Sequence, residues 1–169
     1  MFDFLKPTYY FKSIYEIPVE FFVENGIQGI LFDVDNTLEP YASELPGEKC
    51  IELFKKLESA GIKTAIISNN HKDRVEKFAE PLNTDCYYES LKPKTENIFS
   101  AIEKMGLSTK DVVIIGDQLF TDIWAGSRAG IRSIFLDKIS NAEGKFVKFK
   151  RLIEVPFVKK IRKNGYSKI

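Results

Sequence analysis

Apolar residues in this chain come in short runs separated by amphipathic stretches. Ile27-Gln28-Gly29-Ile30-Leu31-Phe32 runs into Asp33, and Lys63-Thr64-Ala65-Ile66-Ile67 runs into Ser68. Asp111-Val112-Val113-Ile114-Ile115-Gly116 is the clearest run and meets Asp117. Ile131-Arg132-Ser133-Ile134-Phe135-Leu136 is a fourth, and Asp85-Cys86-Tyr87-Tyr88 a short candidate fifth. Segments this short and this apolar read as strands buried on both faces. Between them, apolar positions recur at helical spacing: Cys50, Ile51, Phe54 and Leu57 over 47–60, then 71–80, then Ile98, Ile102 and Met105 over 95–105, and finally about 119–129. Gly61 and Gly106 stand where two of these helices should stop. Alternating strands and helices predict an α/β fold: a Rossmann-like three-layer α/β/α arrangement around a parallel central sheet. Ligands of such sheets bind beyond the carboxyl ends of the strands. Asp33, Ser68 and Asp117 all fall there.

Length changes this picture little. The 169 residues suit one domain. We read a core over about 25–140, an N-terminal aromatic segment over 1–24 and a basic tail over 144–169. An apolar fraction of 44% and a charged fraction of 29% are ordinary for a folded globular chain. Two cysteines, Cys50 and Cys86, without metal-like spacing argue against a disulfide framework and fit a reducing cytoplasm. The lone histidine, His71, argues against a multi-histidine metal site. No apolar run approaches the roughly 18 residues that span a bilayer, and no signal peptide is legible at the N-terminus.

Charge changes it more. The tail carries nine Lys/Arg against one acid, Glu154, a net +8, while the rest of the chain carries 16 against 23, a net −7. A basic tail on an acidic body suits an anionic partner, lipid or nucleic acid; a solvated helical tail is the plainer reading. Phe2, Phe4, Leu5, Tyr9, Tyr10 and Phe11 crowd the other end. They suit either a membrane interface or the covering of a sheet edge.

The acids carry the candidate chemistry. Asp33 and Asp35 sit two residues apart just past a buried strand, where they repel each other and lose hydration. A cation or a shared proton relieves both costs, and Asp117, at the end of another strand, is placed to complete a cation site; Asp122 lies five residues on. Helix capping would explain any one of these acids but not all four together.

On these residues the chain resembles the haloacid dehalogenase superfamily of phosphatases. Phe32-Asp33-Val34-Asp35-Asn36-Thr37-Leu38 resembles its first motif, Ile66-Ile67-Ser68-Asn69 its second, Lys92-Pro93 its third, and Gly116-Asp117-Gln118-Leu119-Phe120-Thr121-Asp122 its fourth. The order is the one that family requires, over residues 27–136. The resemblance implies a nucleophile at Asp33 that forms an aspartyl-phosphate, and a general acid and base at Asp35. It implies that Thr37 steadies Asp35, that Ser68 and Asn69 bind phosphoryl oxygens, and that Lys92 neutralises charge on them. Magnesium would be held by Asp33, Asp35 (through its carbonyl), Asp117 and Asp122. Lys94 competes with Lys92 for the lysine role, and His71 is a candidate substrate contact. The second acid, Asp35, favours a phosphatase over a dehalogenase.

Only Glu39 to Pro46 separates the first motif from the next helix, and 23 residues separate Ser68 from Lys92. Neither stretch holds a cap domain. An open site suits a phosphate presented by something large: a protein, a nucleic-acid end or a lipid head group. Leu5-Lys6-Pro7, Ile14, Ile17, Glu24-Asn25-Gly26-Ile27 and Arg128-Ala129-Gly130 extend the resemblance to a narrower group, the capless bacterial type IIIA phosphatases often called the YqeG family. That group is similar to mitochondrial and plastid phosphatidylglycerophosphatases, which implies a lipid phosphate as candidate substrate. The expectation is a cytoplasmic magnesium-dependent phosphatase, peripheral at the inner face of the membrane through its basic tail. Action on protein or nucleic-acid phosphates, or a non-enzymatic ribosome-binding regulator, are the competing readings.

Overall fold

The computed structural model describes residues 3–41, 43–142 and 144–164. Six strands form one sheet: β1 (Tyr9–Phe11), β2 (Gly29–Phe32), β3 (Lys63–Ile67), β4 (Asp85–Tyr87), β5 (Val112–Gly116) and β6 (Arg132–Leu136). Their order is β1-β6-β5-β2-β3-β4 and every pair is parallel. The helices are α1 (Val19–Glu24), α2 (Glu48–Ser59), α3 (Lys72–Ala79), α4 (Glu96–Met105), α5 (Trp124–Ala129) and α6 (Lys145–Asn164).

Side-chain alternation along the strands divides the core into two layers. Ile30, Phe32, Ile66, Val113 and Ile115 join Phe22 of α1, Phe54 and Leu57 of α2 and Phe78 of α3 on one face. Leu31, Ala65, Ile67, Val112 and Ile114 join Ile98 and Ile102 of α4 and Ala125 of α5 on the other. This is the expected three-layer α/β/α arrangement, and both covered faces explain why the strands are apolar throughout.

The fold reaches beyond the expected core at both ends of the chain, by a strand at one and a helix at the other. Tyr9–Phe11 pairs with Ile134–Leu136 as an edge strand. Leu5 and Phe11 are buried, Phe4 packs 5.3 Å from Trp124, and Tyr9 meets Phe21 edge-on at 5.1 Å. The described aromatics of this segment therefore cover the β6 edge; Phe2 lies outside the described residues. Of the basic tail, 165–169 lie outside the described residues; the described part forms α6, a helix with one side packed on the domain and the other open to solvent. Its inner side buries Glu154 and Ile161, with Phe157 against Phe120 at 6.5 Å. Arg162 pairs with Asp137 at 2.8 Å, and Asp137 also accepts from the Tyr10 hydroxyl at 2.8 Å, so one carboxylate fastens α6 to β1. The outer side leaves Phe149, Leu152, Ile153 and Val155 exposed. Among the described residues, no helix is long and apolar enough to cross a membrane. Cys50 and Cys86 are both free.

Among the described residues, the segment between β2 and α2 contains no further helix or strand, and only α3, a 3₁₀ turn and β4 lie between β3 and α4. No cap domain sits at either position among the described residues. The chain runs outward from β2 through β3 to β4, then returns to β5 and runs the other way to β6. Directions reverse at β2 and β5, which is where such sheets hold ligands.

Candidate active site

Asp33 follows β2 directly, and its backbone N–H donates to Ile115 of β5 at 3.0 Å, the last bond of that ladder. Asp117 follows β5, so neighbouring strand ends present the two carboxylates side by side. Asp122 comes from a π-helical turn, Leu119–Ile123, of the kind that recurs at functional positions. Its Oδ2 accepts from Gln118 N–H at 3.1 Å. Its carboxylate also rests against Gly116, where any Cβ would overlap it, so glycine is required there for close approach. Asp33, Asp117 and Asp122 are all buried, and each offers an oxygen within 4.8 Å of the others'.

Lys92 enters from the loop after β4. Glu89 and Leu91 hold the left-handed backbone there, with φ of 45° and 50°. Ser90 N–H donates to Ser68 carbonyl at 3.0 Å, and Lys92 N–H to Asn69 Oδ1 at 2.7 Å. Its ammonium then lies 2.7 Å from Asp33 and 2.6 Å from Asp122. Lys94 is exposed, so Lys92 is the lysine that the fold brings to the carboxylates.

Asp35 has a different setting. Arg74 grips both its oxygens, at 2.8 and 2.6 Å, and Asn70 adds a bond at 2.6 Å. Its carboxylate thus stands outside the three-acid group. The Thr37 hydroxyl makes long contacts of 3.4 Å with Asp33 and Asp117 and faces that group rather than Asp35. Ser68 is buried, and its hydroxyl accepts from Asn70 N–H at 3.1 Å. Asn36, in the left-handed region at φ 60°, accepts from Tyr41 and Ser140 and ties this loop to the one after β6. His71 is exposed and lies 3.6 Å from Glu89.

Charge in the group is unbalanced. Burial pushes Asp33 up to about 7, against the pull of Lys92. Asp117 is raised well above the usual carboxylate range, again by burial, with Arg151 opposing. Burial works against the Lys92 ammonium, but the Asp122 and Asp33 carboxylates outweigh it and raise its pKa. Three buried acids with this little neutralisation are the donor set a hard divalent cation takes, oxygen only and in reach of one centre.

One neutralising group is absent from any reading of the motifs. Arg151 of α6 donates to both the carboxylate and the backbone carbonyl of Asp117. Glu154, one turn further, accepts from Phe120 N–H at 2.9 Å and fixes α6 to the π-helical turn. The signal for it lay in the composition: Glu154 is the lone acid of a basic tail, three residues after Arg151. Arg74 follows the second motif by five residues, and nothing in that spacing marks it as the partner of Asp35.

This sheet, with acids at its central strand ends and no cap, is that of a known enzyme class. Residues 41–130 match the family described as haloacid dehalogenase-like hydrolase, and the chain belongs to that family of enzymes. Solved structures agree on the fold. The cobalt-bound deoxy-D-mannose-octulosonate 8-phosphate phosphatase of Haemophilus influenzae superposes with a TM-score of 0.53 at 15% identity, over 78% of this chain and 89% of that one. A HAD-superfamily hydrolase of Ehrlichia chaffeensis gives 0.55 at 16% identity, over 75% and 96%. Within the class, the chain is 33% identical over 163 residues to the "Probable phosphatase YqeG" of Bacillus subtilis, covering 96% of this chain and 95% of that protein, which places it in the YqeG phosphatase family. It is also 26% identical to the chloroplastic/mitochondrial phosphatidylglycerophosphate phosphatase 1 of Arabidopsis thaliana, over 99% of this chain but 51% of that longer protein.

Proposed function

We propose that this chain is a magnesium-dependent phosphatase that hydrolyses phosphate monoesters through an aspartyl-phosphate on Asp33, and that its substrate is a lipid phosphate of the phosphatidylglycerophosphate kind presented at a membrane. The observation that carries the reaction is the Asp33 carboxylate, set at the end of the central strand with Lys92 2.7 Å away and Asp117 and Asp122 beside it. Asp33, Asp117 and Asp122 would hold the cation, with the Asp35 carbonyl as a further ligand. Bound there, magnesium supplies positive charge that lets an anionic ester approach an anionic nucleophile.

The chain's own groups do the rest. An Asp33 oxygen attacks phosphorus and the bond to the ester oxygen breaks. Asp35 gives that oxygen its proton, then takes one from the water that attacks the aspartyl-phosphate, releasing inorganic phosphate and restoring Asp33. Arg74 and Asn70 hold both Asp35 oxygens away from the three-acid group, so each transfer requires the carboxylate to leave that grip. Lys92 stabilises the negative charge shared by Asp33 and the phosphoryl group, and holds Asp122 in turn. Ser68 and the Asn69 backbone N–H receive the phosphoryl oxygens, with Thr37 steadying the carboxylates.

The substrate reading is supported by three things: no cap domain, the named activity of the plant relative, and the outer side of α6. There Phe149, Leu152, Ile153 and Val155 are exposed beside Lys148, Lys159 and Lys160. Apolar side chains at acyl-chain depth with lysines at anionic head groups is how interfacial helices bind. The test is turnover, with magnesium, of phosphatidylglycerophosphate in anionic vesicles beside a phosphopeptide and a 5′-phosphorylated oligonucleotide. The lipid should be hydrolysed fastest, and Asp33→Asn should abolish all turnover. Full activity in that variant would sink the nucleophile assignment, and a faster peptide or oligonucleotide would sink the lipid one.

A further inference from the structure

Lys92 is the cation the motifs supply, and it is committed on two sides, to Asp33 at 2.7 Å and to Asp122 at 2.6 Å. A phosphate dianion arriving at Asp33 also needs cationic donors that can turn toward it. Ser68 and Asn69 offer only neutral ones. Arg151 is a second cation bonded to these carboxylates, held on Asp117 through both its carboxylate and its carbonyl, with Glu154 3.8 Å away.

Asp117 belongs to the group of three that fits a divalent cation. A guanidinium and a divalent cation on one carboxylate repel each other, and in a buried site water screens that repulsion little. Metal at Asp117 and Arg151 at Asp117 are therefore alternatives. The backbone of α6 need not move when they exchange. Glu154 bonds to Phe120 N–H at 2.9 Å, and Ile161 is buried, so the helix stays fastened while one long side chain swings. The planar fork of an arginine matches two phosphate oxygens at once.

We propose that Arg151 is a resident counter-ion that divalent metal displaces from Asp117, and that the displaced guanidinium then binds the phosphoryl group of the substrate. The tail helix thereby lends the capless site a substrate-binding residue. This rests on the phosphatase reading of the same carboxylates.

Calorimetric titration of the full chain tests both halves without any turnover. Arg151→Gln should bind Mg²⁺ or Mn²⁺ about tenfold more tightly than the unmutated protein, and Arg151→Lys should fall between them. With magnesium saturating, Arg151→Gln should bind inorganic phosphate about tenfold more weakly. Unchanged or weaker metal binding overturns the displacement, and unchanged phosphate binding overturns the second role. Should the variants fold poorly, the unmutated protein decides. Mg²⁺ should move the NMR signal of the Arg151 Nε–H, and a signal that stays put overturns the proposal. The two readings fail separately. Metal and phosphate binding as expected with no ester hydrolysed sinks the phosphatase reading alone; hydrolysis with Arg151→Gln indistinguishable in every titration sinks this one alone.

Discussion

Two cations reach the same carboxylates from different parts of the chain, and they are held differently. Lys92 comes from the loop beside β4, is 6% exposed, and sits between Asp33 and Asp122. The hydrogen bonds of Ser90 and of its own N–H to Ser68 and Asn69 fix the loop, so the lysine is part of the sheet's rim. Arg151 comes from a helix laid across the outside, keeps a 15% exposed side chain, and reaches one acid of the group, Asp117, while lying 3.8 Å from Glu154 of its own helix. A charge locked between two opposite charges is a permanent component of a site. A charge on a long stem at its edge can be exchanged. The contrast suggests a division of labour, in which one cation builds the nucleophile's setting and the other yields its place.

The largest effect that tests this contrast is the loss of Lys92. Lys92→Ala leaves two buried carboxylates facing each other without their shared cation. Breaking a buried pair by removing one partner costs about 3–5 kcal/mol, and losing one such stabilising group lowers turnover by about 10²–10³. Arg151→Ala should cost less stability in urea denaturation, because it leaves one buried carboxylate of the group, Asp117, without its partner rather than two. If Arg151→Ala proves the more destabilising of the two, the division of labour is wrong.

The same contrast marks what the chain's pattern reveals. Lys92 was legible because it lies in a short motif beside a strand, in the order the four motifs keep. The strands bearing Asp33, Ser68 and Asp117 were legible because a sheet covered on both faces needs unbroken apolar runs. Arg151 was not. Its partner, Asp117, lies 34 residues away, and only the packing of α6 joins them. A run of nine basic residues reads as one charged surface, although the helix turns Arg151 inward and Lys159 and Lys160 outward. The β1 strand was missed for a related reason. Three residues, Tyr9–Phe11, are too few to show a period, and their pairing with β6 spans most of the chain. The second acid shows the limit within a motif. Its position was evident, but that Arg74 and Asn70 would turn Asp35 away from its neighbours depended on where α3 begins.

A smaller change separates the Lys92 side from the Arg151 side. An alanine methyl at position 116 overlaps the Asp122 carboxylate, so Asp122 must move and Lys92 loses one of its two anchors. Overpacking of this kind costs about 1–3 kcal/mol, and a displacement near 1 Å at a reacting group lowers the rate by up to about 10². Gly116→Ala should therefore lower turnover, by less than Lys92→Ala does, while the response of magnesium affinity to a further Arg151→Gln change stays as it is in the parent. A lost response would mean that Asp122 and Arg151 are coupled, and the two sides are not independent.

The smallest effect concerns what holds α6 in place. Burial raises the pKa of Glu154, with the Phe120 N–H bond and Arg151 opposing it. A carboxyl whose folded pKa lies above its unfolded value stabilises the fold below the unfolded value. That contribution is lost as pH rises through the folded value. Ionised Glu154 is thus a net burden near neutral pH, even with Arg151 one turn away. Glu154→Gln keeps an acceptor for Phe120 and removes the charge. Its thermal midpoint should match the parent's in mild acid and exceed it near neutrality, by about 2–4 °C if the burden is on the order of 1 kcal/mol. A midpoint that falls at neutral pH would mean the Arg151 pair outweighs burial. Arg151 would then be anchored from both sides, by Glu154 and by Asp117, and harder to displace than a single carboxylate contact implies.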